Sequence, residues 1–167
     1  MAFKGLRSVL KASILAAVMA TAVVAPTAAD TINCLRVTEV EPLKVRLFQT
    51  ELMVAALTCK RRTDYNQVIA KFGDELAARG RTLKVIFKRL YGTDAEPALN
   101  RFVTRLANEA SLRSLRTADY CNGVGALFSK TLQLQPHMLA GFVANQTFSD
   151  NHGFGVCKPR EQLSASR

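Results

Sequence analysis

The chain of 167 residues carries 23 lysines and arginines against 13 aspartates and glutamates, for a formal net charge of +10 at pH 7. This length suits a single domain, and the basic balance favours acidic partners. Two histidines and the lack of any HExxH, CxxC, GxGxxG or Walker motif exclude the common metal, dithiol and nucleotide sites, so we expect no metal and no cofactor.

Residues 1–29 have the features of a secretory signal peptide. Three cations and no acid accompany an apolar run, residues 12–25, which is short for a membrane span. The small residues of PTAA then offer a cleavage site before Asp30. We therefore expect a bacterial protein that is periplasmic or secreted, with no transmembrane span after cleavage; the alternative is an uncleaved membrane anchor. Without the three cations of this segment, the net charge of +10 becomes +7.

The next feature is a helix that is apolar nearly all round, residues 41–60. Such a helix belongs in the middle of a bundle. The residues that follow predict further helices, bounded by capping pairs, glycines and a proline: 64–80, which Gly80 stops, 82–91, which Gly92 ends, 93–112, 118–133 and 137–146. No segment alternates like a strand. We expect an all-α bundle of about five to six helices over residues 30–157, followed by a disordered tail at 158–167.

All four cysteines follow the predicted signal peptide: Cys34, Cys59, Cys121 and Cys157. An even number of cysteines in an exported chain predicts two disulfides in an oxidising compartment. Four cysteines allow three pairing schemes of two bridges each, and we favour one of these schemes. Cys59 with Cys121 would join the end of one helix to the start of another, and Cys34 with Cys157 would join the two ends of the domain.

The best candidate for binding is a set of cations on two helix faces, where phosphate or carboxylate groups would be held. The set comprises Lys84, Lys88, Arg89, Arg101, Arg105, Arg113 and Arg116. The alternative interpretation is a solvated face braced by Glu109, which is spaced to meet both Arg105 and Arg113.

Glu51 is a carboxylate between Phe48 and Leu52 on the helix that we expect to be buried. We favour a structural role, in which it pairs with an arginine or lysine of a facing helix. The alternative is a general acid, since burial raises the pKa of a carboxyl. A small, basic, disulfide-bonded helical protein with a buried glutamate loosely resembles lysozyme-type muramidases, which implies a cell-wall hydrolase, but no second carboxylate can be assigned. We assign no catalytic residue.

A nucleophilic pair of Cys157 with His152 is a further alternative to a disulfide at the C-terminal end. The glycine-rich loop around these residues would give such a pair a flexible backbone. We favour the disulfide, because the chain is predicted to be exported.

Five short segments within residues 45–128 together form a pattern that resembles a protein family. They are FQTELMVAALTC (48–59), DYN (64–66), LYG (90–92), LANEAS (106–111) and DYC (119–121). Together they resemble a family of small exported helical bacterial proteins of no established activity. This resemblance supports the pairing of Cys59 with Cys121 and implies no catalytic residues.

These patterns predict an exported, non-enzymatic binding or envelope-associated protein. Its basic surface would meet anionic envelope components or an acidic protein. The competing hypothesis is a small cell-wall hydrolase that uses Glu51 as its acid. We do not expect nucleic acid as a partner, because export removes the chain from the cytoplasm and the sequence has no recognition motif.

Overall fold

The computed structural model of the protein describes residues 34–157. The signal peptide predicted at 1–29 and the tail predicted at 158–167 lie outside these residues. The helices are α1 (Val40–Thr58), α2 (Arg62–Tyr91), α3 (Ala95–Arg116), α4 (Tyr120–Gln133) and α5 (Leu139–Ala144). Short 3-10 turns lie at Val37–Glu39, Gly92–Asp94 and Thr147–Asp150. Within the described residues no strand forms beyond a single bridge between Leu35 and Val156, so the all-α prediction is confirmed.

Helix α1 lies in the middle of the bundle and contacts the other four helices. Two clusters of buried side chains meet on it. The first joins Phe48 and Leu52 to the N-terminal half of α2, to α4 and to α5. The second joins Leu43 and Leu47 to the C-terminal half of α2 and to α3. Because each cluster occupies its own side of α1, the helix is apolar around most of its circumference.

Helix α2 corrects the prediction of two helices separated at Gly80. It is one continuous helix of 30 residues, with Gly80 inside it. A glycine in a helix interior costs only about 1 kcal/mol relative to alanine. Leu76 and Leu83 lie on either side of Gly80. Leu76 is buried in the first core cluster and Leu83 in the second. Burial of one such side chain contributes about 1.5–3 kcal/mol, which outweighs the local cost. The predicted end at Gly92 is confirmed, and this residue has a φ of 57°.

Two side chains of α2 form hydrogen bonds with backbone groups at the ends of the last two helices. Lys71 Nζ donates to the carbonyl oxygen of Leu132, at 2.6 Å, in the last turn of α4. Glu75 Oε1 accepts from the backbone N–H of Ala140, at 3.1 Å, in the first turn of α5. Helix α4 ends at Gln133, as predicted, whereas α5 is shorter than the predicted helix at 137–146.

Two disulfides are present, as predicted, and they join the pairs that we favoured. The Cα atoms of Cys59 and Cys121 are 5.4 Å apart, and those of Cys34 and Cys157 are 4.9 Å apart. Cys157 therefore has no free thiol, and the hypothesis of a Cys157–His152 nucleophile is wrong. Structural disulfides indicate an oxidising, non-cytoplasmic compartment.

We find no helix within residues 34–157 that is both long and apolar enough to cross a membrane.

Candidate functional site

Glu51 lies where α1, α3 and α4 meet, and its side chain is only 6% exposed. Its Oε2 accepts from Arg113 Nε at 3.2 Å and from Arg113 Nη2 at 2.5 Å. Its Oε1 accepts from the hydroxyl of Tyr120 at 2.9 Å. One carboxylate thus connects three helices, through the kind of ion pair that we favoured from the sequence.

The Glu51 contacts suit an anchor better than a general acid. Burial, together with the charge of Glu51 and the hydrogen bond to it, raises the pKa of Tyr120 well above its ordinary value of 10.0. The phenol therefore keeps its proton and donates a hydrogen bond to the carboxylate. A general acid must carry a proton of its own. The guanidinium and the phenol direct three donors at the two Glu51 oxygens, so both oxygens are held inside the bundle.

Four of the predicted cations lie along α3. The buried side chains of this helix recur every four residues, at Ala98, Phe102, Leu106 and Ala110. This spacing places one stripe against the core and leaves the arginines beside it. The helix extends to Arg116, beyond the predicted end at residue 112, so that all four of these arginines belong to one element.

Of the five clefts that we describe within residues 34–157, the largest, of about 750 Å³, lies between the C-terminal half of α3 and the loop at 151–155. Arg105, Arg113 and Arg116 line it, and Glu109 is its only carboxylate within the described part of the chain. Arg105 donates to the carbonyl oxygen of His152 at 2.8 Å and to Glu109 Oε1 at 3.0 Å. This side chain therefore holds the loop against α3.

Gly153 is a position that the sequence did not single out for binding. Its φ is 78°, which favours glycine, and an added Cβ would lie 2.9 Å from Arg105 Nη2. The glycine thus lets the guanidinium of Arg105 approach the backbone of the loop. A glycine-rich tract near a cysteine was the only sequence signal for it.

Arg101 and Arg116 are exposed, and neither side chain forms an ion pair or a hydrogen bond within residues 34–157. Arg101 lines two further depressions, of about 510 and 460 Å³. Both adjoin the largest cleft, because Arg105 lines all three. We call the surface that carries Arg101, Arg105, Arg113 and Arg116 the α3 flank.

The other three predicted cations lie elsewhere. Lys84 and Lys88 line another cleft, of about 370 Å³, between α2 and α3, together with Glu96. It shares Phe87 and Asn100 with the two depressions at Arg101 but has no lining residue in common with the largest cleft. Arg89 is ion-paired with Glu39 and donates to the carbonyl oxygen of Cys34 at 3.0 Å. The seven cations therefore do not form one site, and Arg89 has a structural partner.

A second cleft, of about 460 Å³, lies beside the Glu51–Arg113 pair and was not predicted. Its apolar walls come from Val124, Leu127, Phe142 and Phe148, which lie on α4, on α5 and in the turn that follows. Arg113 and Thr117 line both this apolar cleft and the largest cleft. The two are therefore adjacent at the C-terminal end of α3.

Residues 34–157 contain no group of three or more histidine, cysteine, aspartate or glutamate side chains placed to hold a metal ion. No protein-family model, curated protein or solved structure matches the chain. The resemblance to small exported helical proteins stays a prediction.

Proposed function

We propose that the protein is an exported, non-enzymatic binding protein of the bacterial periplasm or exterior, and that its α3 flank binds the anionic groups of an acidic partner. The observation that carries this proposal is a pair of exposed arginines, Arg101 and Arg116, whose side chains have no ion pair or hydrogen bond with any described residue. They lie on one helix along a continuous series of clefts.

The charges of the α3 flank support an anionic ligand. Of its four arginines, Arg113 is balanced by Glu51 and Arg105 by Glu109. This leaves two guanidinium groups, those of Arg101 and Arg116, that form no ion pair in the described structure. A guanidinium presents a planar fork of donors that matches a phosphate or a carboxylate, which makes arginine better suited than lysine to this role.

Export rests on two supports: the signal peptide predicted at residues 1–29 and the two disulfides, which persist in an oxidising compartment. The non-enzymatic assignment rests on Glu51, whose two oxygens both accept hydrogen bonds inside the bundle. This arrangement favours the binding protein over the cell-wall hydrolase.

A pair of charge-matched variants tests the α3 flank. Arg101→Gln with Arg116→Gln removes two positive charges from the flank, and Lys84→Gln with Lys88→Gln removes two from the cleft between α2 and α3. Binding of fluorescein-labelled polyphosphate and of labelled polyglutamate is measured by anisotropy. We expect the arginine variant to lose about tenfold in affinity, since each exposed charge contact contributes up to about 1 kcal/mol.

The lysine variant serves as the control. Its loss of binding free energy should be less than about a third of the loss in the arginine variant. Binding by the wild-type protein should weaken as the salt concentration rises, because exposed charges are screened. An equal loss in both variants would mean that only net charge matters, and the α3 flank would then not be the site. A wild-type protein that binds neither polyphosphate nor polyglutamate would also contradict the proposal.

A further inference from the structure

We propose that the α3 flank and the apolar cleft together bind a single-chain amphiphile: an anionic head, carboxylate or phosphate, lies at the arginines, and the hydrocarbon chain lies in the apolar cleft. This inference rests on the proposed function and specifies its ligand class. Its basis is the adjacency of the two clefts, which share Arg113 and Thr117.

The charges fix which end of the ligand occupies which cleft. The largest cleft has three arginines and one carboxylate, Glu109. The apolar cleft has two cations, Arg113 and Lys130, against two carboxylates, Glu51 and Asp119. An anionic head therefore gains more from the largest cleft, and there Arg116 has no partner within residues 34–157 to be displaced.

The apolar cleft suits a hydrocarbon chain. Its volume of about 460 Å³ lies in the range of about 300–1,000 Å³ that small-molecule sites occupy. Phe142 and Phe148 both contact Phe48 of the core, with ring centroids 6.0 and 6.1 Å from it, so these two walls are continuous with the buried interior. Val124, on α4, is itself buried.

Open space at Gly123 gives a way to block the cleft. This residue of α4 lines the cleft, and nothing lies within 4 Å of a Cβ added there. A larger side chain would therefore enter the cleft without displacing the core. Leucine also favours a helix more than glycine does, so the variant should fold.

An acidic protein or a polysaccharide would also meet the arginines, but neither has a hydrocarbon chain to fill the apolar cleft. The amphiphile uses both clefts at once, and so accounts for their shared wall. We therefore favour it over a purely polar polyanion, which becomes an outcome of the test.

The test compares Gly123→Leu with Gly80→Leu, the same change at a helical glycine of α2 that also has open space. The probes are laurate, a lauroyl lysophosphatidate and dodecanol. The two anionic probes are kept below their micelle concentrations and dodecanol below its solubility limit, and binding is measured by calorimetry on the disulfide-bonded protein. We expect Gly123→Leu to weaken laurate binding by tenfold or more, because each methylene excluded from an apolar site costs about fourfold in affinity. Gly80→Leu should bind as the wild type does.

The two anionic probes show which head the arginines prefer, and dodecanol should bind at least tenfold more weakly than either. Gly123→Leu should keep its polyphosphate affinity. Equal binding of laurate and dodecanol, or unchanged laurate binding by Gly123→Leu, would overturn the inference. A wild-type protein that binds polyphosphate but not the amphiphiles would overturn this inference alone. Failure to bind polyphosphate would instead count against the proposed function.

Discussion

Glu51 shows how a single buried carboxylate organises three helices. A buried charge needs a partner, so its pairing was predictable from the sequence. The identity of the partner was not, because Arg113 lies 62 residues away and Tyr120 lies 69 residues away. The same limit applies to Arg89, which was predicted to bind anions. Its ion pair with Glu39 spans 50 residues, and only the packing of the helices brings the two together.

Removal of the arginine should expose the cost of this buried charge. We expect Arg113→Ala to lower the free energy of unfolding by about 2–4 kcal/mol, since Glu51 would remain buried without its counter-charge while partial exposure of Arg113 moderates the loss. Urea unfolding measures it, and Arg116→Ala, on the same helix but without a partner in the described structure, is the control. A loss below about 0.5 kcal/mol, typical of a surface substitution, would contradict the anchor role.

The surroundings of Glu39 should make the free energy of unfolding depend on pH in the acid range. Burial raises the pKa of Glu39, but hydrogen bonds from Arg89 and from the Arg36 N–H, with the charges of both arginines, bring it below its ordinary value of 4.5. A carboxyl with a lowered pKa stabilises the folded state above its unfolded pKa, and this stabilisation is lost as pH falls through the folded value. We expect unfolding free energy to decline below pH 4.5 for this reason.

The variant Glu39→Gln should be less stable at neutral pH and should lose less stability on acidification. Urea unfolding at a series of pH values measures both effects, with Glu96→Gln, at an exposed position, as the matched control. Parallel acid curves for the wild type and Glu39→Gln would show that this ion pair makes no contribution.

At the scale of elements, periodicity predicted where the helices bury their side chains better than glycines predicted where helices stop. Gly92 ends α2, and its backbone has a positive φ. Gly80 does not end it, because a stop signal is local while the burial of Leu76 and Leu83 is decided by α1 and α3. The end of α4 at Gln133 was predicted, whereas α5 is shorter than predicted and its first turn is held from a distance by Glu75 of α2.

The continuity of α2 has a measurable consequence. Gly80→Ala should raise the free energy of unfolding by about 0.5–1 kcal/mol, because alanine restricts the unfolded chain and nothing in the described structure lies within 4 Å of the added Cβ. Thermal unfolding measures the gain. Gly153→Ala is the contrasting variant and should destabilise, since its φ is 78° and its Cβ would meet Arg105. A loss of stability in Gly80→Ala would indicate a break in the helix.

At the scale of the whole molecule, the fold class and the two disulfides were accessible from composition and spacing. An even cysteine count behind a predicted signal peptide and helical periodicity after it were enough. Only half of the candidate site could be predicted from the sequence. The arginines at 101, 105, 113 and 116 share a helix and follow from its period, whereas the apolar cleft forms between α4, α5 and the turn after them, which no local pattern encodes.

The α3 flank as the binding surface is the central claim, and nuclear magnetic resonance tests it most directly. Polyphosphate is titrated into ¹⁵N-labelled protein with its disulfides intact, and the amide shifts are mapped along the chain. We expect the perturbed amides to be those of residues 101–116 and of the loop at 151–155, which the side chain of Arg105 joins. Perturbations centred instead on residues 84–99, or spread evenly over all basic positions, would contradict it.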